Sequence, residues 1–171
     1  MLVLLSQAAF ATAKHRPWDR FDPTVAAALH AFRQTDHWIA EEMAINLDGN
    51  RLGRDNESGS AFNFDPSIHL RHVVTDLNGD GRLEVFLLFA WPGIVGNQQI
   101  PGVVMVRDGP TEWRIACDID DWDIIGPRGG IRLLARRDHG WRRFRTSDGL
   151  YAWRRHPDGR MECEPRGPRP R

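Results

Sequence analysis

From His69 onward, glycine-bearing turn signals recur at such short intervals that consecutive hairpins are the economical topology. Asn78-Gly79-Asp80-Gly81, Asp108-Gly109-Pro110, Gly129-Gly130, Asp138-His139-Gly140, Asp148-Gly149 and Pro157-Asp158-Gly159 separate short, mostly apolar runs. These runs are His69–Thr75, Leu83–Trp91, Gly102–Arg107, Glu112–Ile119, Ile131–Arg136, Trp141–Arg145 and Leu150–Arg155. They predict an antiparallel meander, closed as one sheet or as a sandwich. Leu83–Trp91 is nearly all apolar and reads as a central strand. The alternation of Trp113, Ile115, Cys117 and Ile119 predicts one shared buried face.

Ahead of the strands the period changes. Asp22-Pro23 has the form of an N-cap followed by proline at the first helical position, and Val25, Ala28, Leu29 and Phe32 follow at helical spacing. Ile39, Met43 and Leu47 continue an apolar stripe beyond Thr35-Asp36, so 23–47 is one kinked helix or two short ones. The polar stretch Asp48–Ser60 reads as a loop, and Pro165–Arg171 as a disordered tail. The expected fold is therefore α+β, mainly β, with an N-terminal helical segment and a single domain over 14–164. A chain of 171 residues with 41% hydrophobic side chains has room for one such core.

Charge narrows the function classes. Lys plus Arg equals Asp plus Glu at 23 each, so no global charge points to nucleic acid or to an anionic membrane. The balance is uneven, since residues 1–125 carry 10 basic and 18 acidic groups and residues 126–171 carry 13 and 5. Two complementary surfaces on one domain account for this. Lys14 is the one lysine, which leaves little room for Schiff-base or phosphate-loop chemistry.

Met1–Ala13 combines an apolar run with Ala11-Thr12-Ala13, the pattern of a signal peptide and its cleavage site; an N-terminal strand or helix is the alternative. Thirteen residues are too few to span a bilayer. Export would make the protein periplasmic or secreted and place Cys117 and Cys163 in an oxidising compartment, where they are expected to form a disulfide. Two buried thiols are the alternative.

One segment carries specific chemistry. In Asp76-Leu77-Asn78-Gly79-Asp80-Gly81-Arg82-Leu83-Glu84, oxygen-bearing side chains stand at positions 1, 3, 5 and 9, with glycine at 6. Calcium takes about six to eight oxygens, and alternate residues of a curled loop point inward to supply them. Asp76, Asn78, Asp80 and Glu84 would ligate through side chains and Arg82 through its carbonyl. The twelfth position of an EF-hand would be Leu87, inside an apolar strand, and strands rather than helices flank the loop. Calcium would thus clip a β-hairpin and couple to folding. The alternative is a plain Asn-Gly/Asp-Gly hairpin without metal.

This segment resembles the EF-hand-like calcium loops of FG-GAP-type repeats and of small exported bacterial β proteins. A single copy argues against a propeller. Together with Gly140-Trp141 and Leu150-Tyr151-Ala152-Trp153, it makes residues 69–155 similar to periplasmic inhibitors of invertebrate-type lysozymes and related immunity proteins. That resemblance implies a non-enzymatic module that inserts a loop into a peptidoglycan hydrolase. The family's Ser-Gly-x-x-Tyr motif has its nearest counterpart in Ser58-Gly59-Ser60-Ala61-Phe62, where phenylalanine replaces tyrosine and the motif precedes the hairpin.

The long Trp91–Pro101 loop mixes apolar and amide side chains, and Ile94, Asn97 and Gln98 are its candidate partner contacts. Asp118, Asp120, Asp121 and Asp123 form the densest acidic cluster, read as a solvated edge or as a match for the Arg-rich C-terminal strands. His69 and His72 fall on opposite strand faces and His30 and His37 lie two helical turns apart, so neither pair chelates simply. His37 and Glu41 read as a surface pair on one helix face. No HExxH, GxSxG, GxGxxG or phosphate-loop pattern occurs. The expectation is an exported, calcium-stabilised binding protein without enzymatic activity, acting as an inhibitor or immunity protein against a cell-wall hydrolase. The runner-up is a calcium-dependent periplasmic hydrolase using His139 or His69 with an aspartate.

Overall fold

A computed structural model describes residues 21–47, 70–90, 100–121 and 130–167. The expected signal peptide, the Ser58–Phe62 motif, His69, Asp123 and the loop contacts Ile94, Asn97 and Gln98 lie outside the described residues. What is described is mostly β. Helices α1 (Pro23–Phe32) and α2 (Trp38–Leu47) precede strands β1 (Leu70–Thr75), β2 (Glu84–Phe89), β3 (Ile100–Arg107) and β4 (Trp113–Asp121). Then follow β5 (Arg132–Asp138), β6 (Trp141–Arg145), β7 (Leu150–Arg155) and β8 (Met161–Arg166).

The helical region is two helices. Asp22 caps α1 by accepting the Thr24 N–H at 2.8 Å, and Pro23 stands where no intrahelical N–H is needed. Val25, Ala28, Leu29 and Phe32 are its buried stripe. The break falls at Thr35, whose hydroxyl donates to the Phe32 carbonyl at 2.7 Å. His37 then starts α2, its Nδ1 accepting the Ile39 N–H at 3.3 Å.

The hairpins are sequential, as the turn signals predict. Strands β1 to β4 form one four-stranded antiparallel sheet and β5 to β8 a second, each in chain order. Every residue of β2 is buried, and its side chains alternate between two environments. Val85, Leu87 and Phe89 pack with Val103 and Met105 of β3 against the helices, where Phe32 stacks on Phe89 at 5.0 Å. Phe86, Leu88, Val104 and Val106 meet Phe144, Tyr151, Trp153 and Met161 of the second sheet. Apolar residues on both faces of a strand are what a sheet covered on both sides requires.

Two sequence expectations are corrected here. The Trp113-Ile115-Cys117-Ile119 alternation does not share one face, because the β3–β4 register shifts between Val104 and Met105. Val104 pairs with Cys117 and Met105 with Ile115, which leaves Ala116 as the extra residue of a β-bulge. Trp113 and Ile115 therefore pack on the helix side, and Cys117 and Ile119 on the side of the second sheet. That turn delivers Cys117 to Cys163 of β8, with Cα atoms 5.2 Å apart in a disulfide. The second correction concerns the tail. Strand β8 pairs Pro165 with Tyr151 and Arg166 with Leu150, so the first two residues assigned to a disordered tail are sheet. Pro165 is tolerated because β8 is an edge strand.

Candidate functional site

The Asp76–Glu84 loop joins β1 to the fully buried β2, and its own Leu77 is buried in the cluster shared with the second sheet. It is curled by its own side chains. Asp76 accepts from the N–H of Gly79 at 2.6 Å and of Gly81 at 3.0 Å. Asn78 Oδ1 accepts from the Asp80 N–H at 2.8 Å, and Asp80 Oδ1 from the Arg82 N–H at 2.8 Å. Asn78 Nδ2 donates to Asp80 Oδ2 at 3.1 Å. Gly79 and Gly81 sit at φ of +85° and +80°, a region that L side chains rarely adopt.

Glu84 differs from its neighbours in depth. It is 1% exposed, and its Oε2 accepts the Leu77 N–H at 2.6 Å. Burial pushes its carboxyl up to about 7 against the favourable Leu77 hydrogen bond, and the charges of Asp80 and Asp76 push it further in the same direction. Asp76 moves the other way, held below the usual carboxylate range first by the Gly79 N–H and then by that of Gly81. Three carboxylates thus sense one another across the loop, one of them buried.

The donor set suits a hard cation: Asp76, Asn78, Asp80 and Glu84 offer oxygen alone, and each carboxylate oxygen engaged with a backbone N–H has a second lone pair. Among the described residues, no group of three or more His, Cys, Asp or Glu side chains is drawn together tightly enough to count as a preformed metal cage. The carboxylates are turned first toward the loop's own N–H groups. Arg82, expected to contribute its carbonyl, donates its N–H to Asp80.

The loop is also fastened to the second sheet. The Leu77 carbonyl accepts the Arg142 N–H of β6 at 2.8 Å and lies 3.4 Å from Arg137 Nη1. Beside it opens a cleft of about 470 Å³ whose lining includes Asn78, Asp80, Arg107, Arg114, Trp141 and Arg160. Arg114 crosses from β4 to the Met161 carbonyl at 2.7 Å and pairs with Asp108 at 2.6 Å. Nothing in the sequence singled out these arginines, because Arg107 and Arg114 come from the β3–β4 hairpin and Arg160 from the β7–β8 turn.

The remaining candidates are placed as follows. His37 does not pair with Glu41; with Nδ1 occupied as an acceptor, its Nε2–H donates to Asp118 at 3.1 Å. Asp118 thus meets the start of a helix rather than the Arg-rich strands. His72 stacks edge-on against Phe21 at 5.5 Å. His139 occupies the β5–β6 turn at φ +50°, and the adjacent Asp138 is committed elsewhere. Its carboxylate accepts from Arg143 Nε at 2.6 Å and from the Trp153 N–H at 3.1 Å, and the Arg143 contact holds it well below the usual range. The chain matches no protein-family model, no curated protein and no solved structure.

Proposed function

We propose that the protein is an exported binding module whose two sheets pack as a calcium-stabilised sandwich, and that it acts as an inhibitor or immunity protein against a cell-wall hydrolase. The observation that carries the reading is Glu84. A buried carboxylate with Asp76 and Asp80 close enough to raise its proton affinity is a site where a bound cation offsets both the desolvation and the repulsion. Asp76, Asn78, Asp80 and Glu84 would hold calcium through side-chain oxygens and Arg82 through its carbonyl.

The Leu77 carbonyl links this loop to β6, so order in the loop favours order between the sheets. The adjoining cleft shares Asn78 and Asp80 with the loop, which supports a role for calcium in shaping a contact surface. The Cys117–Cys163 bridge is compatible with export. Asp138, the aspartate next to His139, is committed to Arg143 and Trp153 and so is not free to act with His139 as an acid–base pair.

The test is a cell-wall clearing assay with a panel of peptidoglycan hydrolases, in calcium and in EGTA. Dose-dependent slowing of at least one hydrolase in calcium is expected. No slowing of any hydrolase, with the protein folded and calcium present, would overturn the inhibitor reading.

A further inference from the structure

The register of the second sheet builds a row of arginines across its outer face. Arg132 of β5 stands opposite Arg145 of β6, Arg145 opposite Leu150 of β7, and Leu150 opposite Arg166 of β8. In the adjacent row, Leu133, Phe144 and Tyr151 point into the cluster shared with the first sheet. Successive strand residues alternate faces, so the arginine row points away from that cluster. Arg132, Arg145 and Arg166 are exposed and Leu150 is half-buried. With strands about 4.8 Å apart, the row is about 14 Å long.

The row opposes the fold's own electrostatics. Like charges directly opposite on antiparallel strands are destabilising, and Arg132 faces Arg145 in that way. Three arginines of this sheet are matched by carboxylate: Arg143 with Asp138, Arg166 with Glu164 at 3.1 Å, and Arg154 near Glu162 and Glu164 at 3.8 and 3.9 Å. The facing Arg137 and Arg142 donate to backbone carbonyls instead. Among the described residues, Arg132 and Arg145 have no such carboxylate.

We propose that this row docks an extended acidic polypeptide segment of a partner protein, its carboxylates taking Arg132 and Arg145 and its apolar side chains lying on Leu150. The guanidinium fork fits carboxylates in two-point contacts. Single-stranded nucleic acid would need aromatic platforms, and Phe144, Tyr151 and Trp153 all belong to the inner cluster. A flat anionic bilayer would press on Glu162 and Glu164, which share the outer face with the row, whereas a single strand can follow the row and avoid them. This inference rests on the binding-module reading and names its partner's chemistry; it does not depend on calcium.

The test is fluorescence anisotropy of a labelled Glu-Leu repeat peptide with the full chain at low salt. Salt-sensitive binding is expected, weakened about tenfold in Arg132→Gln/Arg145→Gln and unchanged in Arg71→Gln/Arg155→Gln. The first double variant should melt no lower than the parent, since it removes a like-charge pair. No binding, equal binding by both double variants, or tighter binding to oligothymidylate or phosphatidylglycerol vesicles than to the peptide would overturn the proposal. Peptide binding that obeys these expectations in a protein inhibiting no hydrolase would leave the surface standing and remove the hydrolase alone.

Discussion

Glu84 Oε2 accepts the Leu77 N–H at 2.6 Å, closing the loop between β1 and β2 from inside the protein. Leu77 is fully buried and its carbonyl bonds the Arg142 N–H of β6, so one residue carries the loop's order to the second sheet. The cost sits on Glu84, a buried carboxylate facing two others across the loop. This pair is where the pH response and the sheet packing meet, and it is the centre of the proposed calcium site.

With metal chelated, folded Glu84 keeps its proton to about 7, whereas an ordinary glutamate loses it near 4.5. Between those values the folded state holds more protons than the unfolded, so stability falls as pH rises through the window and levels off above it. The drop attributable to Glu84 is at most about 3 kcal/mol. Denaturant unfolding in EGTA at about pH 5 and about pH 8 measures it, and Glu84→Gln should flatten the slope. Asp76 and Asp138, held down by their hydrogen bonds, act in a separate window below the usual carboxylate range, where stability falls as pH falls. Equal slopes in the parent and Glu84→Gln would remove the buried carboxylate as the cause.

Cys117 reaches Cys163 because the bulge at Ala116 turns it toward the second sheet. The bridge spans 46 residues, and in the chain-entropy model its loss costs about 4 kcal/mol. Cys117→Ser/Cys163→Ser should show that loss in urea unfolding. Deleting Ala116 puts Cys117 directly after Ile115 in a regular strand, still opposite Val104 and on the side of the second sheet. A thiol assay on that variant should therefore find no reactive cysteine, as in the parent; two reactive cysteines would show that the bridge needs the bulge itself.

Gly102 is a tight point in the first sheet. A Cβ there would lie 2.4 Å from the Leu87 carbonyl oxygen, 2.9 Å from Leu88 Cδ2 and 3.2 Å from Ile119 Cγ1. The nearest atom is backbone, so the strand must move. Gly102→Ala should destabilise by about 1–3 kcal/mol in urea unfolding. A neutral effect would show that β2 and β3 yield more easily than their packing implies.

The parts of this fold that depend on local chemistry are legible in the sequence. Asp22-Pro23 announces α1, the apolar run of β2 announces its two covered faces, and the glycine turns announce the hairpins. Strand β8 is missing from the expected strands, although Met161 and Cys163 alternate with Glu162 and Glu164, because the run is short and Pro165 with the arginines after it reads as a tail. Non-local relationships were not legible. No local pattern marks Ala116 as a bulge, since the residues around it alternate as in a regular strand. The pairing of His37 with Asp118 and of Arg132 with Arg145 depends on which elements meet in space. At the candidate site the sequence shows which oxygens recur, but not that Glu84 is buried while Asp76 and Asp80 spend their hydrogen-bonding capacity on the loop's own backbone.

The most direct measurement is thermal unfolding of the chain in EGTA, then with calcium added, for the parent and for Asp76→Ala. Calcium at about 100 times its dissociation constant should raise the parent's midpoint by about 5–10 °C, with magnesium much less effective and Asp76→Ala unresponsive. An unchanged midpoint in the parent, or an equal rise in Asp76→Ala, would contradict the calcium site and leave the Asp76–Glu84 loop as a hairpin held by its own hydrogen bonds.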